Sequence, residues 1–127
     1  MSNSRPTNIG FGTLIKYKFP PMAIASILHR ISGVILFLII PFLLWVFDKT
    51  LTSQQGFDAV HAFLSGGVAR FFLWVFFSAL VYHFIAGLKH LFMDLGYFEE
   101  KCSGKVSSML VILVSLVLII LLGVWLW

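Results

Sequence analysis

Residues 71–88, FFLWVFFSALVYHFIAGL, carry no formal charge, and this stretch decides how the whole sequence is interpreted. A helix needs about 20 consecutive, mostly apolar residues to cross the hydrocarbon core of a bilayer. The apolar pattern extends on both sides, from residue 68 to residue 95, and predicts a membrane-spanning helix. His83 is the one strongly polar ring within the uncharged stretch. Because ionisable groups inside a span are costly and usually mark a site, His83 is the first candidate functional residue.

Two further apolar runs predict two further spans, at residues 22–47 and 106–127. Of the 127 residues, 60% are hydrophobic and 11% are charged, whereas a soluble domain carries about 25% charged residues. The length suits a single membrane-anchor domain, residues 1–127, without a separate soluble module. We therefore predict an all-α membrane protein with three transmembrane helices.

The connection between the first two spans, residues 48–67, is polar and predicts a loop with a short interfacial helix. Pro41 lies inside the first apolar run. We expect it to kink the helix without ending it, because neighbouring groups in a membrane protein can satisfy the carbonyl that proline leaves free.

The basic residues indicate the orientation in the membrane. Most of them lie in the N-terminal segment and in the loop between the second and third spans: Arg5, Lys16, Lys18, Lys101 and Lys105. The positive-inside rule therefore predicts a cytoplasmic N-terminus. We assign the net charge of +4 to this topology, with membrane lipid as the partner, and exclude nucleic acid. Cys102 is the only cysteine, so we expect no disulfide and no thiolate metal cluster within this chain.

His83 and His90 are seven residues apart, which places both rings on one face of a helix, about 10 Å from each other. This spacing excludes both from ligating one iron, because opposite axial ligands must face one another across a ring. Around His83, Ala79, Ala86 and Gly87 keep the same face small, so that a flat macrocycle could approach the backbone. Two interpretations stay open: a haem ligand, or a buried histidine hydrogen-bonded across helices.

A single haem would take its second ligand from His29 or from another chain. His90 is then a polar neighbour, beside a propionate or orienting Asp94, or else an interfacial histidine that meets lipid headgroups. Ser26 and Arg30 are four residues apart on one helical face, and their hydroxyl and guanidinium donors suit a quinone carbonyl. The alternative is that Arg30 reaches the headgroups and that Ser26 bonds to its own backbone.

Two motifs carry a resemblance to a known family. They are SILHRISG at residues 26–33 and HFIAGLKHLFMDLGY at residues 83–97. Together they resemble the cytochrome b membrane-anchor subunit of succinate dehydrogenase, respiratory complex II, and in particular the larger of the two anchors in bacterial enzymes. The resemblance covers most of the chain from Arg5 to about Gly96.

This resemblance implies a fold, a cofactor and a set of partners. Three transmembrane helices would form half of a heterodimeric bundle around one haem b, with His83 as the axial ligand and the other histidine supplied by a second anchor subunit. Ser26 and Arg30 would bind ubiquinone, and His29 and Arg30 would lie beside the haem edge and propionates, with His90 a further candidate there. An iron–sulfur subunit would deliver electrons, and a flavoprotein subunit would oxidise succinate.

The implied role is the quinone-reducing end of succinate dehydrogenase in the bacterial inner membrane, serving the tricarboxylic acid cycle and aerobic electron transport. Three alternatives compete with this role: a quinol:fumarate reductase anchor, a haem-free structural anchor, and a small transporter in which His83, His90 and Asp94 relay protons. A transporter typically shows a repeat or paired broken helices, and the sequence shows neither. A deep histidine flanked by small residues favours the cytochrome.

Overall fold

The computed structural model describes Gly10, Gly12 and residues 17–97 and 100–127. Four helices follow one another along the chain: α1 (Pro21–Thr52), α2 (Gln54–Leu64), α3 (Gly67–Asp94) and α4 (Lys101–Leu126). These described residues contain no β-strand, and α1, α3 and α4 are long and apolar enough to cross a membrane. The predicted fold class, an all-α membrane protein with three spanning helices, is confirmed.

Helix α1 begins and continues as its prolines suggest. Pro21 occupies the first helical position, where the missing amide hydrogen would have no partner within the helix. Pro41 lies inside α1, and the helix continues beyond it as far as Thr52, so Pro41 does not end it. The predicted span stops at residue 47, whereas the helix includes the polar residues that follow. Hydropathy locates the apolar part of a helix and not its polar ends.

A serine separates α1 from α2. Ser53 has an extended backbone, with φ at −162°, and its hydroxyl accepts the N–H of Gly56 at 3.0 Å, which caps the start of α2. The backbone of Gly56 lies directly against the Lys49 carbonyl and leaves no room for a side chain. The short helix expected within residues 48–67 is therefore present, and it packs on the end of α1.

A glycine ends α3. Gly96 has a φ of +87°, a left-handed conformation that glycine adopts without strain. The N–H groups of Gly96 and Tyr97 donate to the carbonyls of Met93 and Phe92, which is a common way to close a helix. Helix α4 then begins at Lys101, earlier than the predicted residue 106, because its first turn is polar and lies outside the apolar run.

The three long helices pack on one another, and α3 contacts both α1 and α4. A small core forms around Tyr82, Ala86 and Val111. Helix α4 adds buried serines to this packing, and small residues allow membrane helices to approach closely: Ser107, Ser108 and Ser115. Most of the large apolar side chains stay exposed, as expected for a surface that faces lipid.

Two ends of this bundle can be distinguished by their aromatic rings. The histidine end contains His29, His83 and His90, which lie near one another. The tryptophan end contains Trp74, whose indole N–H donates to the carbonyl of Ile119 in α4 at 3.1 Å. Each end therefore has an aromatic ring on α3 that contacts a neighbouring helix: His83 contacts α1 and Trp74 contacts α4.

Candidate functional site

The His83 ring on α3 is held by two polar atoms of α1. Its Nδ1 lies 3.1 Å from the carbonyl oxygen of His29 and 3.1 Å from the Oγ of Ser32. The Ser32 hydroxyl in turn donates to the His29 carbonyl at 2.8 Å. The three atoms therefore lie within hydrogen-bond distance of one another, in the contact between α1 and α3.

These contacts determine which nitrogen of His83 carries the proton. A carbonyl oxygen can only accept, and the single proton of the Ser32 hydroxyl is already donated to the His29 carbonyl. Both neighbours of Nδ1 therefore act as acceptors, and Nδ1–H is the donor. The lone pair of Nε2 is left for another partner. This is the arrangement that metal-ligating histidines usually show, with one ring N–H donated to a carbonyl and the other nitrogen free.

His29 lies between the two histidines of α3. Its ring stacks on that of His83, with centroids 4.1 Å apart and planes at 13°, and its centroid is 5.0 Å from that of His90. Stacked faces leave no space for a macrocycle between His29 and His83. This geometry removes His29 as the opposite axial ligand, one of the two sources left open by the sequence.

Nε2 of His29 is buried and has no hydrogen-bond partner in the part of the chain that the structure describes. Leaving a buried polar atom unpaired costs about 1–3 kcal/mol. Such an atom in a native protein calls for a group that satisfies it. Nε2 of His29 is therefore the polar atom of this histidine cluster whose partner has still to be identified.

Two glycines bring α1 and α3 close together at these histidines. A Cβ added at Gly33 would lie 3.0 Å from Cε1 of His83, and a Cβ added at Gly87 would lie 3.5 Å from Nε2 of His29. Each helix therefore places a glycine against a histidine of the other. Since residue 33 faces 83 and residue 29 faces 87, the helices run antiparallel.

The small residues near His83 do not form the open face that the spacing suggested. Ala86 is 1% exposed and packs with Tyr82 and Val111 in the core. Ala79 is also buried, and Gly87 faces His29. These small residues let the helices approach closely. A one-dimensional spacing could not distinguish a face turned to a neighbouring helix from an open one.

Ser26 and Arg30 lie one turn apart on α1, beside His29. Arg30 is exposed and Ser26 is partly exposed. Neither makes a side-chain hydrogen bond or an ion pair with any residue in the described ranges. This segment of α1 is attached to α3 by Tyr82, whose hydroxyl donates to the Ala25 carbonyl at 3.0 Å. The two polar side chains thus lie on a segment that is hydrogen-bonded to α3, and no residue within the described ranges uses their donors.

The structure does not connect His90 with Asp94. Asp94 is exposed at the end of α3, and within residues 17–97 and 100–127 no hydrogen bond or ion pair joins it to His90. His83 and His90 contact the ring of His29 instead. The suggested proton relay through His83, His90 and Asp94 therefore has no direct hydrogen bond between its last two members within these ranges.

Ser32 was given no role by the sequence, although it lies inside the motif at residues 26–33. Ser32 is 5% exposed, and its Oγ contacts Nδ1 of His83, the candidate haem ligand. Its position three residues after His29 was a usable signal, because that spacing puts both residues on neighbouring turns. Recognising the contact with His83 also required the register of α1 against α3.

Comparison with known proteins extends over nearly the whole chain. Residues 2–122 match the protein family described as "Succinate dehydrogenase/Fumarate reductase transmembrane subunit". A "Succinate dehydrogenase cytochrome b556 subunit" of Coxiella burnetii is 41% identical and covers 100% of both chains. Proteins of the same name from Paracoccus denitrificans and Rickettsia typhi are 35% and 30% identical, over 83% and 96% of this chain and 81% and 93% of their own lengths.

Proposed function

The chain belongs to the family of succinate dehydrogenase/fumarate reductase transmembrane subunits, and from this premise we propose that it is the cytochrome b anchor of a succinate:ubiquinone oxidoreductase. It is a multi-pass protein of the bacterial inner membrane. The observation that carries the proposal is His83, whose Nδ1 is engaged by α1 while its Nε2 is left free. The named relatives are all succinate dehydrogenase subunits, which favours succinate oxidation.

The residues at the histidine end suit a haem b. Nε2 of His83 would hold the iron, and His29, whose ring stacks on that of His83, would lie beside the edge of the group. The guanidinium of Arg30 carries a permanent charge that suits the propionates, and His90 lies next to His29 on the same side. When bound, the haem supplies a one-electron carrier inside the bilayer.

The chain requires partner subunits for this role. His29 stacks on His83 and cannot oppose it, so a second histidine that holds the haem would come from a second anchor subunit. Cys102 is the only cysteine, whereas iron–sulfur clusters need several thiolates. A separate iron–sulfur subunit therefore delivers the electrons, and a flavoprotein subunit oxidises succinate. This chain does not itself oxidise succinate and contributes to the quinone-reducing end.

Ser26 and Arg30 would bind the ubiquinone that is reduced. Reduction of a quinone to a quinol adds two electrons and two protons, and negative charge develops on the carbonyl oxygen before it is protonated. The guanidinium of Arg30 stays charged and stabilises that oxygen, while the hydroxyl of Ser26 both accepts and donates a hydrogen bond. This assignment is supported by the partial exposure of Ser26 and the exposure of Arg30, whose donors no residue in the described part of the chain uses.

The cofactor is tested by the dithionite-reduced minus oxidised visible spectrum of membranes that contain the assembled complex. A b-type haem signal is expected. Its absence would contradict the cytochrome and leave a haem-free structural anchor. A quinol:fumarate reductase anchor would instead be indicated by preferential reduction of fumarate with quinol as the electron donor.

The quinone site is tested by Ser26→Ala and Arg30→Ala, with Ser78→Ala and Arg70→Ala as matched controls on α3. Loss of a charged hydrogen bond costs about 1.5–3 kcal/mol, so Arg30→Ala should slow ubiquinone reduction at least about tenfold. Ser26→Ala should slow it less. Reduction of an artificial dye by the soluble subunits should be unchanged. Equal loss of both activities would show misassembly, and unchanged ubiquinone reduction would contradict the site.

A further inference from the structure

We infer that Ser32 is a positioning residue for the haem ligand His83, setting the ring's tautomer, its rotation and the basicity of Nε2. This inference rests on the proposed function, since it concerns the residue that would bind the iron. The sequence patterns described above give Ser32 no role. The contact itself, between Oγ of Ser32 and Nδ1 of His83 at 3.1 Å, is what points to it.

Ser32 is placed where its hydroxyl has few alternatives. The residue is 5% exposed, so water does not compete for it. Its proton goes to the His29 carbonyl at 2.8 Å, which turns the oxygen lone pairs towards Nδ1 of His83. Nδ1–H is thereby shared between Oγ of Ser32 and the His29 carbonyl, each 3.1 Å away. The ring cannot flip without losing both acceptors.

Other serines in the chain show what a purely structural role looks like. The hydroxyl of Ser78 donates to the Trp74 carbonyl at 2.6 Å, and that of Ser108 donates to the Gly104 carbonyl at 2.8 Å. Both are bonds within one helix, which membrane helices commonly contain. Ser32 makes the same kind of bond to His29 and adds a second contact, to a ring nitrogen on another helix. That second contact separates Ser32 from the rest.

A hydrogen bond donated by Nδ1–H makes the imidazole a more basic ligand through Nε2. A more basic ligand stabilises the oxidised iron relative to the reduced iron. Removing the Ser32 hydroxyl should therefore raise the midpoint potential of the haem. Outer partners of metal-ligating histidines typically change affinity 10–100-fold when they are mutated. Because the His29 carbonyl remains as an acceptor, we expect about a tenfold weaker retention of haem.

The test compares Ser32→Ala with Ser78→Ala in the assembled complex, by redox titration of the b-type haem and by the rate of haem loss. Ser32→Ala should raise the midpoint potential and release haem about tenfold faster. Ser78→Ala removes the same atom from a serine that contacts no histidine, and it should match the wild type. If both variants have the wild-type potential and haem retention, Ser32 does not position His83.

A second pair keeps the test decisive if Ser32→Ala fails to assemble. Threonine and valine are nearly isosteric and differ in the hydroxyl, so Ser32→Thr should retain a potential near that of the wild type while Ser32→Val raises it. Equal potentials in these two variants, or failure of both to assemble, would overturn the inference. Wild-type complex without any b-type haem would instead overturn the proposed function, and this inference with it.

Discussion

The histidine end and the tryptophan end are built on the same contact, an aromatic ring against a glycine. A Cβ added at Gly33 would lie 3.0 Å from the ring of His83, and one added at Gly123 would lie 3.1 Å from the ring of Trp74. Each ring also has an N–H group 3.1 Å from a backbone carbonyl of a neighbouring helix. In both places the glycine admits a ring whose hydrogen bond joins two helices.

The two contacts differ in whether the ring keeps a second nitrogen that can bind a ligand. An indole has one nitrogen, which is a donor only, and that nitrogen in Trp74 is fully used by the packing contact. An imidazole has two nitrogens, so His83 can join α1 to α3 through Nδ1 and still present Nε2 to a ligand. The ring-to-helix hydrogen bond therefore uses the only nitrogen of Trp74, whereas it leaves the second nitrogen of His83 for a ligand. This difference supports the proposal that the functional site lies at the histidine end.

The largest expected effect comes from removing each ring. His83→Ala should abolish the b-type haem signal, because the axial ligand is lost. Trp74→Ala should lower the stability of the complex by about 3–5 kcal/mol but leave the haem content of the assembled fraction unchanged. The measurement is haem per assembled complex by pyridine haemochrome assay. Loss of haem from both variants alike would show that the two ends do not differ in function.

The second comparison uses alanine substitutions that fill the space beside the rings of His83 and Trp74. Gly33→Ala and Gly123→Ala introduce contacts of 3.0 and 3.1 Å, tighter than ordinary packing, and each should cost about 1–3 kcal/mol. Because alanine gains roughly 1 kcal/mol over glycine in a helix, the net destabilisation of each variant should be up to about 2 kcal/mol. Thermal denaturation of the complex should show similar destabilisation of both.

Only Gly33→Ala should also alter the haem. Its Cβ would displace the His83 ring, so a shift in the visible spectrum of the haem is expected there, and the spectrum of Gly123→Ala should match that of the wild type. A spectral shift in Gly123→Ala, or none in Gly33→Ala, would contradict the placement of the ligand.

A smaller effect is expected from removing only the hydrogen bond at the tryptophan end. Trp74→Phe keeps an aromatic ring but loses the N–H donated to the Ile119 carbonyl. Side-chain hydrogen bonds between membrane helices contribute about 0.6 kcal/mol on average. The melting temperature should therefore fall slightly, with the haem spectrum unchanged. A loss greater than about 2 kcal/mol would mean that the indole has a role beyond this contact.

The smallest effect is expected at Gly87. A Cβ there would lie 3.5 Å from Nε2 of His29, which is an ordinary contact. The helix-propensity gain of about 1 kcal/mol should offset any local adjustment, so the stability of Gly87→Ala should remain within about 1 kcal/mol of the wild type. Destabilisation as large as that of Gly33→Ala would show that the α1–α3 register differs from the one described.

Sequence patterns predicted the three long helices because spanning a bilayer requires a long apolar run, and such runs are visible without a structure. The helix ends were less accessible, since the residues at 48–52 and 101–105 are polar yet helical. Hydropathy does not distinguish a polar helical turn from a loop. Turn chemistry at Ser53 and Gly96 determines where the helices stop.

The sequence singled out several residues of the candidate site, but it gave Ser32 no role and did not show how the residues are arranged. His83 could be singled out by its position in an uncharged span, and its resemblance to a known motif suggested the ligand role. That Ser32 contacts His83, and that His29 stacks on it, depends on which turns of α1 and α3 face one another. This register is a property of tertiary packing. Whether Ala79 and Ala86 face a macrocycle or a neighbouring helix depends on the same register, and the structure buries both.

We propose that Nε2 of His83 binds the haem iron. Replacing this ligand with free imidazole tests the proposal. His83→Gly removes the imidazole and leaves a space that added imidazole can occupy, while His90→Gly is the matched control on the same face of α3. The b-type difference spectrum should be lost in His83→Gly, be restored by imidazole, and persist in His90→Gly. A wild-type spectrum from His83→Gly without imidazole would contradict it.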